Sequence, residues 1–334
     1  MSELLKTITT DKGVYSIIDD DFNRRIFKKK TKISIAREIE GYNLIKYYYN
    51  VPKLLEYNLV ENEIIYEFND DLYHQTMHQG LFEDIYFDKD KIINVLTSTF
   101  KNFEFLNENL STNSIFFLGR ISKISEYLLV KDKDYEKNII INGEKFNSFK
   151  ECVKSIIFDI TRNNIVPFAI TQGDPTDLNI SVIGNITDFE TSGKNSIINE
   201  IAIFLGCYLV NCYYFYIKYM NSAHKQYVKT LEKYNSLVKC EYCENEEKIE
   251  VNFGKLLPSK VKEFILGYLK KVKELEIIKS SFPLGPYVAM RMISPIDIRN
   301  INDKNDKYIL FALALMFEKK YKTLNDIIKF IRSI

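Results

Sequence analysis

Between Ile165 and Phe189 the chain passes through short apolar runs broken by turn residues, and no other segment restricts the local fold so tightly. Ile165 to Thr171 is mostly apolar and leads into Gln172-Gly173-Asp174-Pro175-Thr176-Asp177-Leu178-Asn179. Ile180 to Ile183 is apolar again, Gly184-Asn185 is a turn pair, and Ile186 to Phe189 continues beyond it. Runs of this length bounded by turn signals read as strands, so the segment predicts a tight hairpin. Asp174, Asn179 and Asp188 would then converge from one loop and one strand end. Asn179 and Asp188 offer two oxygen ligands for Mg²⁺ on nucleotide phosphates, and Asp174 offers a carboxylate to accept the proton of an attacking hydroxyl. Two acids in one cleft repel without a cation, so the metal belongs to this reading. A polar surface turn is built from the same residue types, and that reading stands beside the functional one.

These residues resemble the catalytic loop and metal-binding strand of the aminoglycoside phosphotransferase and choline kinase group, small-molecule relatives of the protein kinases. The family's loop reads His-Gly-Asp, then a few residues, then Asn. The Gly before Asp174 and the spacing to Asn179 are kept, Gln172 stands where the family has His, and the segment from Asn179 to Asp188 is shorter than is common. The resemblance implies an α+β, two-lobed protein-kinase-like fold. Residues 1–68 would form a nucleotide-binding lobe, a small antiparallel sheet with one helix. Residues 69–334 would form a larger, mainly helical lobe for catalysis and substrate binding. It also implies Asp174 as catalytic base and Asn179 and Asp188 as metal ligands.

The N-terminal third supplies the remaining parts in order. Thr7 to Ile18 is rich in β-branched residues and is broken at Asp11-Lys12-Gly13; after Asp19-Asp20-Asp21, Arg24 to Lys30 resumes as a strand. In the kinase plan this third strand carries the lysine that meets the α- and β-phosphates. Lys28 fits that place best, with Lys29 on the other face and Lys30 as second choice. A solvated basic run on an edge strand is the plain alternative. Ser34 to Tyr49 reads as a helix capped by Ser34. Its Glu38 matches the glutamate that pairs with the lysine, with Glu40 as fallback and a surface i,i+4 pair as the ordinary reading. Val51 to Tyr57 and Glu63 to Phe68 are the next strands. The second leads to the hinge, where backbone groups of Glu67, Phe68 and Asn69 would meet adenine and Tyr66 would line the back of its pocket.

Composition sets only broad bounds. Lys+Arg 46 against Asp+Glu 45 gives a net charge of +1, which favours neither nucleic acid nor an anionic membrane as partner. Apolar residues are 46% of 334, enough for a large core. Met1 to Lys6 lacks the apolar core of a signal peptide, and Ile201 to Ile217, with Asn211 and four tyrosines, reads as a buried helix. A cytoplasmic location is the expectation, and five scattered cysteines suit reduced thiols. Cys240 and Cys243 lack a second ligand pair nearby for zinc.

The larger lobe is expected to hold helices over Lys91 to Asn109, Phe146 to Asn163, Asn305 to Lys319 and Leu324 to Ile334, with a small hairpin around Asn142-Gly143. Residues 222 to 280 read as two helices about a charged linker at Cys240 to Lys248. Glu200 is the acid expected to hold the catalytic loop from below, Asp177 a group that would meet a cationic substrate, and Arg291 and Arg299 either ion-pair residues or an anion site. The function this implies is ATP- or GTP-dependent, Mg²⁺-assisted phosphorylation of a small-molecule hydroxyl, as in an aminoglycoside, a choline-like amino alcohol or a sugar. A nucleotide-binding module without transfer activity is the alternative, motivated by Gln172, a thin phosphate loop with Gly13 alone, and the short hairpin.

Overall fold

The computed structural model describes residues 3–9, 13–19, 21, 25–32, 34–67, 75–83, 85–107, 114–162 and 165–334. The smaller lobe is the antiparallel sheet anticipated. Strands β1 (Glu3–Thr9), β2 (Gly13–Asp19) and β3 (Arg25–Thr31) precede helix α1 (Ala36–Ile45); β4 (Leu54–Asn58) and β5 (Glu63–Glu67) follow it, in sheet order β1-β2-β3-β5-β4. Helix α1 starts two residues later than the sequence suggests, and the Ser34 hydroxyl accepts a hydrogen bond from the Ala36 amide just before it. The proposed lobe boundary at 68/69, like the hinge residues Phe68 and Asn69, lies outside the described residues.

The larger lobe runs α2 (Met77–Phe82), α3 (Lys89–Thr97), β6 (Glu104–Asn107), α4 (Ser114–Ser125), β7 (Asn138–Ile141), β8 (Glu144–Ser148), α5 (Phe149–Arg162), β9 (Ile165–Thr171) and β10 (Gly193–Ser196). Helix α6 (Ile197–Gly206) passes through a π-helical stretch, Cys207–Phe215, into α7 (Tyr216–Tyr219). Then come α8 (Val228–Tyr234), β11 (Cys240–Glu244), β12 (Lys248–Phe253), α9 (Ser259–Glu274), α10 (Gly285–Ile293), α11 (Lys304–Leu315) and α12 (Leu324–Ser333). Phe149, Cys152, Val153, Ile156 and Ile160 form the buried stripe of α5 at helical spacing. Ile197–Tyr219 is long and apolar enough to cross a membrane by composition, and it is wholly buried in the fold. Buried Asn211 donates to the Gly206 carbonyl at 2.6 Å, five residues back, in the stretch where the backbone widens.

Three elements depart from the sequence reading, the first being that Ile180 to Ile183 and Ile186 to Phe189 form no strands and are joined by a single Ile180–Ile186 bridge. The segment ending at Asn107 is not one long helix: β6 pairs antiparallel with β9, which also pairs with β10. The supposed linker at Cys240 to Lys248 belongs to the hairpin β11–β12, which joins β7–β8 through a parallel β12–β7 ladder. Ile249, Val251 and Phe253 are buried alternately along β12, with Glu250 and Asn252 between them, a period-2 pattern. The Asn142-Gly143 hairpin is present, with φ of 47° and 82° at the two turn residues.

The two lobes meet where α1 lies against the segment after Asp188. A Cβ at Gly41 would come within 2.0 Å of the Phe189 carbonyl oxygen, so α1 approaches this closely only because residue 41 is glycine. Tyr42, Tyr66 and Phe189 pack around the contact with ring centroids 5.3–5.8 Å apart. That packing brings Glu38 of α1 and Lys29 of β3 to Asp188 of the other lobe.

Candidate active site

The cleft centres on Lys29, not Lys28. Lys29 Nζ lies 2.5 Å from Glu38 Oε2 and 2.9 Å from Asp188 Oδ1, and the side chain is 7% exposed. Lys28 points to the opposite face and pairs with Glu63 at 2.8 Å near the surface. The sheet register explains the correction: Tyr15 stands opposite Lys29, Phe27 shares that face, and the two rings stack at 6.2 Å. The inward alternation therefore runs Phe27, Lys29, whereas the apolar pair Ile26-Phe27 had suggested Lys28. Burial alone would lower the Lys29 pKa, but the charges of Asp188 and then Glu38 outweigh it and hold the ammonium above its ordinary value. Tyr66 donates its hydroxyl to Glu38 Oε1 at 3.1 Å, so it supports the ion pair from within the lobe core. Of the Glu67 backbone groups, the amide donates to the Lys53 carbonyl at 2.8 Å, just ahead of β4.

The Gln172–Asn179 motif folds into a braced turn. Gly173 has φ of 89°, and a Cβ there would lie 2.1 Å from the Thr191 carbonyl oxygen. Gln172 ties both ends together: Oε1 accepts from the Asp174 amide at 2.7 Å, and Nε2 donates to the Asp188 carbonyl at 2.7 Å and the Thr187 carbonyl at 3.2 Å. One neutral amide thus spans the acceptor and donor sides of the loop, in the place where the resemblance led us to expect an imidazole. Asp188 takes a left-handed φ of 58°, a conformation Asp tolerates better than most residues and one common where backbone strain serves a site. The short hairpin survives as an Ile180–Ile186 bridge with Gly184 at φ 84°.

Asn179 Nδ2 donates to the Asp174 carbonyl at 3.0 Å and to Asp174 Oδ2 at 3.3 Å, which leaves the amide oxygen as the atom for a cation. Asp188 oxygen and Asn179 oxygen are hard donors and fit Mg²⁺. Asp188, Lys29, Glu38, Glu190, Tyr15 and Ser34 line a narrow cleft between the lobes. A wider surface hollow along α3, bordered by Tyr48, Asp88 and Ser98, shares no residue with it. Glu200 of α6 lies under the loop. It accepts from the Thr171 hydroxyl at 2.6 Å, and the Gly173 amide also bonds to it. Burial pushes its carboxyl up to about 8, with the Asp174 charge adding and the Thr171 bond opposing.

Asp177 does not face the cleft. It is fully buried and accepts from His78 Nδ1 at 2.7 Å and His224 Nε2 at 2.9 Å, with Cys207 Sγ at 3.4 Å. Burial would raise its pKa, but His224 and then His78 outweigh this and hold the carboxyl below its ordinary range. It therefore ties α2, the Gln172–Asn179 loop and the segment before α8 into one polar knot. Arg291 is the group that reaches the site instead, with Nη2 3.7 Å from Asp174 Oδ1. Arg120 of α4 lies beside it, and no spacing or motif in the sequence marked that residue. Arg299 is committed to Asp297 and Glu126, each at 2.7 Å.

No family model and no curated protein matches the chain. Among solved structures, the amicoumacin kinase hAmiN in complex with AMP-PNP, Ca²⁺ and Ami aligns over 96% of this chain and 89% of that one, with 10% identity and a TM-score of 0.51. The choline kinase LicA from Streptococcus pneumoniae aligns over 96% and 95%, with 14% identity and a TM-score of 0.43. A Plasmodium vivax ethanolamine kinase aligns over 87% and 81%, with 14% identity and a TM-score of 0.40. The first of these carries the assignment of fold: the chain has the two-lobed architecture of the protein-kinase-like small-molecule kinases.

Proposed function

We propose that this protein is a phosphotransferase that moves the γ-phosphoryl of ATP or GTP to a hydroxyl of a small molecule. The observation that carries the reading is the meeting of Lys29, Glu38 and Asp188 across the two lobes, with Gln172 linking Asp188 to Asp174. Lys29, oriented by Glu38 and Tyr66, is the cation for the nucleotide phosphates. Asn179 and Asp188 are the residues to hold Mg²⁺, which when bound supplies charge neutralisation at the phosphates. Asp174 receives the acceptor's proton, and Gln172 fixes both its backbone and that of Asp188. Phe68 and Asn69 remain the candidates for adenine contact at the hinge.

Nucleotide selective for the folded state raises stability by mass action. Mg²⁺ with AMP-PNP should therefore raise the melting temperature of the wild type, and Asp188→Ala should abolish the Mg²⁺-dependent part of that rise. A melting temperature indifferent to nucleotide in the presence and absence of Mg²⁺ would remove the basis for the proposal.

A further inference from the structure

One guanidinium stands at the proposed catalytic carboxylate and a second lies near enough to feel its charge, an arrangement that disfavours a positively charged acceptor. Arg291 projects from α10, is 11% exposed, and comes 3.7 Å from Asp174 Oδ1. Its Nε is buried and has no hydrogen-bond partner among the described residues. Arg120 projects from α4 and spends one of its five donors on the Ser294 carbonyl, at 3.2 Å from Nη1. Burial first, and the neighbouring charge of Arg291 second, lower Arg120 to about 10. Lys123, one turn further along α4, donates to the Pro295 carbonyl at 3.3 Å and adds a third cation to the same face.

We propose that the acceptor alcohol carries an anionic group, a carboxylate or a phosphate, that docks on Arg291 and Arg120 beside Asp174. This inference rests on the phosphotransferase reading and names its acceptor class. Among the described residues Asp174 is the carboxylate within ion-pair distance of Arg291 and none lies within that distance of Arg120, so one charge faces two, and it is drawn on when Asp174 accepts the hydroxyl proton. A buried guanidinium with an unmet donor is a site prepared for an oxyanion, because its planar fork matches the oxygens of carboxylate and phosphate. The same field repels an ammonium headgroup at short range. An anion seated on the pair lies next to Asp174, so a hydroxyl on a neighbouring carbon comes within reach of the base. The bond that forms joins that hydroxyl oxygen to the γ-phosphorus. The bond from the β–γ bridging oxygen breaks, and the hydroxyl proton passes to Asp174.

The test uses the Mg²⁺–AMP-PNP complex of the full chain and a matched set of alcohols: glycerol, glycerate, glycerol 3-phosphate, ethanolamine and choline. Calorimetric titration is expected to give at least tenfold tighter binding of glycerate or glycerol 3-phosphate than of glycerol, with ethanolamine and choline weaker than glycerol. The better of the two anions tells carboxylate from phosphate. Arg291→Gln and Arg120→Gln are each expected to cut the anion preference at least tenfold, with Arg291→Lys restoring part of it; nucleotide binding by the same variants reports that they fold. Equal binding of anion and glycerol, a preference for the cations, or an anion preference that survives both Gln variants overturns the inference while leaving the kinase reading intact. Failure of Mg²⁺–AMP-PNP to bind the wild type overturns both, and is seen before any alcohol is added.

Discussion

Exchanging Lys29 for methionine removes a cation that Glu38 and Asp188 share, and Lys28→Met is its internal control. Glu38 is 4% and Asp188 30% exposed at the side chain, so one carboxylate is left in the protein interior and the other beside it. Removing one partner of a buried pair costs about 3–5 kcal/mol. Glu38 can relieve part of that by taking a proton, because burial and the nearby Asp188 both push its carboxyl up, which places the cost near the lower end of that range. Lys28 is 36% exposed and pairs with Glu63 at the surface, where an ion pair is worth at most about 1 kcal/mol. Chemical denaturation without nucleotide should separate the two variants by about 2 kcal/mol or more. Calorimetry with Mg²⁺–AMP-PNP should separate them further. A charge-assisted hydrogen bond is worth about 1.5–3 kcal/mol, so Lys29→Met should weaken nucleotide binding about 10- to 100-fold and Lys28→Met hardly at all. Equal effects of the two substitutions, or a Lys29 variant within about 1 kcal/mol of wild type, would refute the register on which the site is built.

Three further outcomes follow from the same geometry. Gln172→Ala frees the Asp174 amide and the Asp188 carbonyl at once and should cost about 1–3 kcal/mol at the site, read as a roughly tenfold or greater loss of turnover with the fold retained by circular dichroism. Glu200 has a folded pKa of about 8 against an ordinary 4.5. The folded state therefore holds a proton that the unfolded chain releases, and the stability this brings is full below about pH 4.5 and is lost as pH rises through about 8. The difference amounts to a few kcal/mol, and Glu200→Gln should flatten stability against pH across that window, whereas an unchanged slope would show that Glu200 ionises normally. His78→Ala leaves buried Asp177 short of one of its two imidazole donors, 2.7 Å away, and should destabilise the protein by about 3 kcal/mol in thermal unfolding; a loss below about 1 kcal/mol would show that Asp177 does not depend on it.

How much of this could be read from the chain differs from element to element, for physical reasons. The Ile165–Phe189 segment was legible in part: strand β9 and the turns at Gly173 and Gly184 follow from turn residues at fixed spacing, whereas the strands expected over Ile180 to Ile183 and Ile186 to Phe189 reduce to one Ile180–Ile186 bridge, because that stretch pairs with Asn50 and Gln75 from far away. Glu200 was placed correctly because its helix begins soon after the hairpin. The lysine was misplaced by one residue, since a strand puts successive side chains on opposite faces and the basic run offers three candidates in a row; the ring of Tyr15 opposite decides the matter, and that is a tertiary contact. β6 and β12 were missed because each is half of a pairing made far away in sequence, with β9 and β7. Asp177 was expected to meet a cationic substrate because it sits beside the loop, and the arrival of His78 and His224 from distant segments is what buries and pairs it. Arg120 and Arg291 come from helices 171 positions apart in the numbering, so nothing local could pair them.

Transfer itself is the direct test of the account. With γ-labelled ATP, Mg²⁺ and an extract of small metabolites as acceptors, the wild type should label at least one compound. Asp174→Asn should lower that labelling by about 10²–10⁴, the usual contribution of a positioned base, while still binding Mg²⁺–AMP-PNP. Labelling by Asp174→Asn at the wild-type rate, or none by a wild type that binds nucleotide, would contradict the assignment of this cleft to phosphoryl transfer.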